Sequence, residues 1–541
     1  MNRTFRRTRG DIGRSRSALT APPGEFRWLR AVVALVLAFS SAERAVANVT
    51  ESGDVSPPFA PAAVVDLTGQ QIFIGNTSGG VGGIGTVSVT AGGILTAAQI
   101  VPGTGGLGTG FVNVTGAGST VNLTGGAAFN GLDVGSWGTG VVTVSNGGRI
   151  ACASVAACAF NTIGNAAGST GTLAINSGSV TGLGQLAVGA GSLAPGFGTP
   201  GANTSATLSI TNGGTLSSNG TNYVALNNGQ TGLVTGNVTI DGAGSKWTIT
   251  RDLAGGGSQA GLFLGRSANS VANLTLSNGG NLTITGARSN PATDNSLPFL
   301  NMSAATGATS TMTVTTGASL VFGGDSGVLN VAASNANPNG TATLNITAGG
   351  TVSGTGPNGL VIVNVGRNGG TGTLNINGPG SQLVVAGVGG QNTQGLTGLG
   401  GLVVVGGNNG VSGTMNVTGG GSLLISDNGL AASTGQMGLR LGDPGSGGGK
   451  VTVSGAGSSF VVSSTGGSAT SPYVIVGNST NGQMTISNGA SVSVLGSGPR
   501  ACRSFRPPRS RGWRSRAARR TVLRSRRRAP TRAARRRGRR S

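Results

Sequence analysis

Histidine is absent from all 541 residues of this chain. Its absence removes the usual general base, the commonest metal ligand and any Ser-His-Asp triad. Aromatic residues make up only 4% of the chain and charged residues only 9%, which leaves little for stacking on bases or sugars. No apolar run reaches the roughly 20 residues that a membrane-spanning helix needs. The sequence therefore argues against histidine-dependent catalysis and against a transmembrane segment.

Glycine is abundant, with 105 residues, and so is one short motif in which apolar residues alternate with Thr, Ser or Asn. The motif recurs thirteen times at intervals of 25 to 41 residues, with an average near 33. This period is typical of stacked repeat architectures. The second apolar residue marks each copy: Val89, Val114, Val144, Ile175, Ile210, Ile240, Leu276, Val314, Ile346, Ile376, Val417, Val453 and Ile486.

Each repeat contains three short apolar segments. The alternating motif predicts a strand with one apolar face, and pairs such as Asn146-Gly147 after it predict a turn with positive φ. A second short strand follows the turn, and a third apolar run ending in glycine, such as 262–265, precedes the next copy. Since such a unit has no core of its own, we expect copies to stack into an all-β, right-handed parallel β-helix.

Composition alone would favour a disordered, low-complexity tract, because Gly, Ser, Thr and Asn dominate the chain. The regular Val, Ile and Leu positions supply apolar surface that disordered chains lack.

The predicted organisation is a signal peptide at 1–47, a lead-in or N-terminal cap at 48–80, the repeat region at 81–498 and an Arg-rich tail at 499–541. Both ends are expected to be disordered. Loops are expected where spacing varies most, at 190–205, 252–261, 284–300 and 386–401.

The first 47 residues have the three parts of a secretory signal. An Arg-rich stretch extends to Arg30, an apolar run covers 31–39, and Ala45-Val46-Ala47 forms a small-residue cleavage site. The mature chain would begin near Asn48. This pattern predicts export through the inner membrane.

The formal charge of +23 is concentrated at the two ends of the chain. Residues 48–499 hold eight Lys or Arg against ten acids, whereas 500–541 hold nineteen Arg and no acid. No nucleic-acid binding is therefore expected of the repeat region. The tail has two interpretations: a polycation able to bind nucleic acid or anionic lipid, or an out-of-frame translation of a GC-rich gene, which its abrupt Arg, Ala, Pro and Ser bias favours.

The chain has three cysteines. Cys152 and Cys158 are close enough in sequence to close a small loop in an oxidising compartment, and two free thiols in a turn are an equal alternative. Cys502 is left over in the tail. No cofactor and no metal site is predicted. The turns carry Asn, Ser or Ala where a calcium-binding repeat needs a recurring Asp.

Two patterns point to enzyme chemistry, and neither is complete. Residues 324–327 spell Gly-Asp-Ser-Gly, the nucleophile motif of trypsin-like proteases, but the chain has no histidine to activate the serine. Asp252, Asp325 and Asp427 fall 12, 11 and 10 residues after their markers, so they would stack two and three coils apart. That separation, roughly 10 Å or more, fits poorly with the 6.5–9.5 Å of an inverting glycosidase. No catalytic residue is predicted.

The repeat resembles the one shared by passengers of type V secretion autotransporters and by some PEP-CTERM exported proteins. Residues 451–458 (VTVSGAGS) and 484–490 (MTISNGA) carry the resemblance most clearly, and it extends over about residues 80–495. It implies a location at the cell surface, the outer membrane or outside the cell, or in the periplasm if no barrel is supplied. Autotransporters end in an outer-membrane β-barrel and PEP-CTERM proteins in a short motif with an apolar span. Neither follows residue 499.

The leading functional hypothesis is a non-enzymatic, structural and adhesive rod. Its expected partners are a host or neighbouring cell surface, a glycan, or another copy of the chain. The second hypothesis is a polysaccharide-acting β-helix enzyme centred on Asp252 and Asp325. The third is an intracellular nucleic-acid binder that acts through the Arg-rich tail.

Overall fold

A computed structural model describes most of the chain between residues 47 and 496. The described ranges are 47–76, 82–125, 131–191, 202–229, 231–251, 259–286, 297–332, 340–356, 359–367, 369–387, 399–407, 412–427, 436–442, 448–464, 471–477 and 481–496. They belong to one compact unit that begins at Ala47. The predicted signal peptide, apart from Ala47, and the Arg-rich tail lie outside the described residues.

Every helix or strand assigned in these ranges is a β-strand, and the strands form three sheets of 14, 15 and 11 strands. From β6 (Thr109–Thr115) onward, successive strands along the chain pass from the first sheet to the second and then to the third. Each strand pairs with its equivalents in the coils before and after it. The predicted all-β parallel β-helix with three strands per repeat is therefore confirmed. Its right-handed sense stays a prediction.

The first sheet holds the alternating motifs. Its strands, in spatial order, are β1 (Asn48–Gly53), β4 (Ile84–Thr90), β6 (Thr109–Thr115), β9 (Thr139–Ser145), β12 (Thr170–Asn176), β15 (Thr204–Thr211), β18 (Val234–Asp241), β21 (Ser270–Ser277), β24 (Thr309–Val314), β27 (Thr341–Thr347), β30 (Thr371–Asn377), β33 (Gly413–Thr418), β36 (Gly449–Ser454) and β39 (Gly482–Ser487).

The second sheet follows the tight turns. Its strands, in spatial order, are β2 (Val55–Ser56), β3 (Val64–Ile74), β5 (Ile94–Pro102), β7 (Thr120–Leu123), β10 (Arg149–Cys152), β13 (Ser179–Leu183), β16 (Thr215–Asn219), β19 (Lys246–Thr250), β22 (Asn281–Gly286), β25 (Ser319–Gly324), β28 (Thr351–Gly356), β31 (Gln382–Gly387), β34 (Ser422–Ser426), β37 (Ser459–Ser464) and β40 (Ser491–Gly496).

The third sheet contains the apolar runs that end in glycine. Its strands are β8 (Asp133–Val134), β11 (Phe160–Ile163), β14 (Gln185–Val188), β17 (Thr221–Val224), β20 (Gly261–Leu264), β23 (Phe299–Met302), β26 (Gly327–Val331), β29 (Val361–Val365), β32 (Leu399–Val405), β35 (Gln436–Leu441) and β38 (Ser471–Val476).

The thirteen marker residues form a single column on the inner face of the first sheet. Val89 pairs with Val114, Val114 with Val144, and the same register continues to Ile486. The markers up to Val453 are fully buried. Because side chains of a strand alternate between its two faces, the intervening Thr, Ser and Asn residues lie on the outer face.

From β4 onward, the corner between the first and second sheets is short, with two to four residues in each coil. Asn146 and Gly147 turn the chain there with φ of 52° and 83°, which confirms the predicted positive-φ turn. Connections to and from the third sheet are more variable and reach 15 residues between Val188 and Thr204. The four predicted loops fall at these two corners. Most of their residues lie outside the described ranges.

The N-terminal end of the stack departs from the parallel pattern. Strand β1 pairs antiparallel with β4, and β2 pairs antiparallel with β3. Val49 of β1 is completely buried against the first coils. This arrangement covers an edge and an apolar core end that a parallel stack would otherwise leave open.

Candidate functional surfaces

The outer face of the first sheet presents hydroxyl and amide groups in columns that follow the stack. Thr311, Thr343, Thr373 and Thr414 form one column across four coils. A neighbouring column is an asparagine ladder: Asn375 Nδ2 donates to Asn345 Oδ1, and Asn416 Nδ2 donates to Asn375 Oδ1, both at 2.9 Å. This face is polar, repetitive and hydrogen-bonded along the axis.

The outer face of the third sheet carries an aromatic cluster. The rings of Tyr223 and Phe263 stack with centroids 5.7 Å apart, and Phe299 meets Phe263 edge-on at 4.9 Å. The Phe299 ring occupies the space that a Cβ on Gly261 would need. The exposed Arg266 lies 5.1 Å from the centre of the Tyr223 ring and donates from Nη1 to its hydroxyl at 2.9 Å. The cluster combines aromatic surface with one positive charge.

The same pairing recurs further along the third sheet. The chain has only two tyrosines, and the second, Tyr473, has the Arg440 guanidinium 5.5 Å from its ring centre. Arg440 Nε donates to the Tyr473 hydroxyl at 2.8 Å. Sequence analysis missed both pairs, because 43 and 33 residues separate their members.

Of the three aspartates considered for polysaccharide cleavage, the two that the structure describes lie in separate coils. Asp252 lies outside the described residues. Asp325 is half-buried in the bend after β25, and Asp427 is fully buried after β34, where it accepts a hydrogen bond from Ser464 Oγ at 2.6 Å. Strands β25 and β34 are three steps apart in the second sheet, roughly 14 Å. Ser326 of the protease-like motif is buried, with 2% of its surface exposed.

One buried carboxyl group was not anticipated. Asp133 lies in β8 with 6% of its surface exposed, and it accepts hydrogen bonds from the Thr162 hydroxyl and, at 3.3 Å, from Asn165 Nδ2. Burial raises the pKa of Asp133 above its ordinary value, although hydrogen bonds from Thr162, Ser136 and Asn165 oppose that change. The only sequence signal was an acidic residue inside the apolar run 132–135.

Cys152 and Cys158 form a disulfide, which decides between the two alternatives left open by their spacing. The bond closes the connection between β10 and β11.

Among the residues that the structure describes, no group of three or more Cys, Asp or Glu side chains is placed to hold a metal ion. Within the same ranges, no helix has the length and apolar character needed to cross a membrane.

Comparisons of the chain with protein-family models, with curated proteins and with solved structures found no match. The stacked sheets and their outer faces are therefore the observations on which a functional proposal rests.

Proposed function

We propose that this chain is an exported, autotransporter-like passenger rod that attaches to surfaces or to other copies of itself. The resemblance of its repeats to autotransporter and PEP-CTERM sequences supports export. The proposed partners are a cell surface, a glycan or a second copy, and the proposed location is the cell surface, the outer membrane or the extracellular space.

The repetition of polar outer groups along the stack is the observation that carries this proposal. One coil offers a few hydroxyl and amide groups, and the columns at Thr343 and Asn375 repeat them in neighbouring coils at one strand spacing. Weak contacts made by linked copies of one group add through high effective concentration. A face of this kind suits attachment to an extended, uncharged surface.

The aromatic clusters of the third sheet add a second type of contact. Phe263 and Phe299 are partly exposed beside the cation of Arg266, and aromatic residues with Arg are enriched at the centres of binding interfaces. The connections that vary in length border this sheet, which is the usual place for binding specificity on a regular scaffold.

Adherence of the purified full chain to cells, to immobilised glycans and to itself tests the proposal. We expect binding that persists at about 0.5 M salt, because the columns at Thr343 and Asn375 are uncharged and salt screens mainly charged contacts. Adherence that disappears in salt would be attributed to the Arg-rich tail and would contradict the proposal. The absence of adherence and aggregation at low salt would also contradict it.

A further inference from the structure

Seven threonines on the outer face of the first sheet form two adjacent columns across four consecutive coils. We call them the threonine block: Thr309, Thr311, Thr341, Thr343, Thr371, Thr373 and Thr414. Thr341 and Thr371 are exposed, and Thr343 and Thr373 are half-buried between their neighbours. The block therefore presents a regular array of exposed and half-buried threonine side chains on the outer face.

The first sheet is the most regular of the three. Its parallel pairs from β4 to β39 keep one register throughout. The second sheet shifts register between Val180 and Leu183, and the third between Leu399 and Leu402. Side chains on the first sheet thus repeat about every 4.8 Å along the stack and about every 6.6 Å along each strand. This is a two-dimensional lattice.

Charge is absent from this part of the sheet. Strands β21, β24, β27, β30 and β33 contain no Asp, Glu, Lys or Arg. The charged residues nearest along the stack are Asp241 of β18 and Lys450 of β36. Lys450 pairs in register with Thr414 and borders the block at β33, whereas strands β24, β27 and β30 offer a charged ligand no electrostatic partner and expose a neutral ligand to no tightly hydrated ion.

We propose that the threonine block binds ice. One spacing of the block, about 4.8 Å along the stack, is close to a repeat distance of water oxygens on a prism face of hexagonal ice. Threonine hydroxyls donate and accept hydrogen bonds as water does, and their branched side chains have few rotamers to lose on binding. The hydrogen bonds that join Asn345, Asn375 and Asn416 hold the adjacent amides in place. A lattice of neutral groups is the ligand that matches this surface.

Ice binding would give the proposed adhesive rod one specific surface, but it needs only the folded stack. The two proposals can therefore fail separately. Loss of ice binding leaves adherence to cells or glycans to be measured, and loss of that adherence leaves ice binding untouched.

The test measures uptake of the full chain into a slowly growing ice shell, together with inhibition of ice recrystallisation. The variant Thr343→Lys/Thr373→Lys places two charges in the centre of the block. Its matched control, Thr248→Lys/Thr283→Lys, makes the same change at a pair of half-buried threonines in register on the outer face of the second sheet. A further variant, Thr343→Val/Thr373→Val, keeps the side-chain shape and a high β-propensity.

We expect the wild type and the second-sheet control to enter the ice, and the lysine variant to lose at least about tenfold in apparent affinity, equivalent to about 1.4 kcal/mol. Circular dichroism identifies any variant that fails to fold, and the valine variant then provides the comparison, with an intermediate loss expected. Exclusion of the wild type from ice would overturn the proposal. Equal uptake of the wild type and a folded lysine variant would overturn it too, as would block-dependent binding to an insoluble polysaccharide without ice binding.

Discussion

Ser245 connects its own turn to the turn of the preceding coil through Gly213. Its hydroxyl oxygen accepts a hydrogen bond from the Gly213 N–H at 3.1 Å, and the hydroxyl donates to the carbonyl oxygen of Asp241 at 2.6 Å. The same pair of bonds recurs at three other buried serines, each of which follows a Gly-X-Gly turn: Ser119, Ser381 and Ser458. The tight corner is thereby held both within a coil and between coils.

Replacement of this serine tests the corner. Ser245→Ala leaves the Gly213 N–H without its acceptor, and we expect a loss of about 1–3 kcal/mol in the free energy of unfolding. Urea denaturation measures the total loss in the free energy of unfolding, and hydrogen exchange over 205–219 shows whether the loss lies at this corner. Ser209→Ala, on the outer face of β15, is the control and should change stability by less than about 0.5 kcal/mol. Equal stability of the two variants would contradict this role for Ser245.

A second prediction concerns Trp247 of β19, the largest fully buried side chain among the residues that the structure describes. Its Nε1 donates to Ser218 Oγ at 2.9 Å inside the core. Trp247→Phe and Ser218→Ala each leave one buried polar group without a partner, whereas the double variant removes both groups. We therefore expect the double variant to lose less stability than the two single losses combined, with a coupling of about 0.5–3 kcal/mol. Strictly additive losses in urea denaturation would show that the bond contributes nothing.

The disulfide provides a third prediction. Cys152 and Cys158 are six residues apart, and a cross-link across so short a loop stabilises a protein by about 2 kcal/mol in the chain-entropy account. Reduction with dithiothreitol should lower the unfolding free energy of the wild type by this amount. The variant Cys152→Ser/Cys158→Ser should resemble the reduced wild type and respond to the reductant no further. If dithiothreitol lowered the unfolding free energy of this variant as much as that of the wild type, the result would contradict the disulfide between Cys152 and Cys158.

The fourth prediction is a pH dependence. Because burial raises the pKa of Asp133, ionisation of this carboxyl group is less favourable in the folded chain than in the unfolded chain. Its contribution to stability is fully present below the ordinary pKa and is lost as the pH rises through the folded-state value. We therefore expect Asp133→Asn to gain stability relative to wild type as the pH rises above 3.8, the ordinary pKa of this carboxyl group.

Asp66 is the control of opposite sign. Hydrogen bonds from the Thr68 hydroxyl and N–H lower the pKa of this exposed carboxyl group, so its contribution is present at neutral pH and is lost as the pH falls through the folded value. Asp66→Asn should therefore lose stability relative to wild type as the pH rises. Urea midpoints across the pH range measure both differences, and the same sign for the two variants would contradict the assignment.

The repeat itself was predictable because its signals are local. Alternation around Ile175 specifies which side chains face inward, and the Asn278-Gly279 pair specifies a turn that L-residues with bulky side chains rarely adopt. Asp133 shows where such reasoning ends. Strand alternation places it on an outer face, yet contacts from the next coil bury it.

The chain by itself determined the strand period, the tight corners and the number of stacked copies, since each of these follows from residues a few positions apart. Only the tertiary structure decided which residues of different coils lie together, as with Tyr223 and Arg266 or Thr343 and Thr373. It also decided that β1 and β2 run antiparallel to their neighbours. The physical reason is that coil lengths vary, so inter-coil contacts depend on a register that backbone hydrogen bonding and core burial select together.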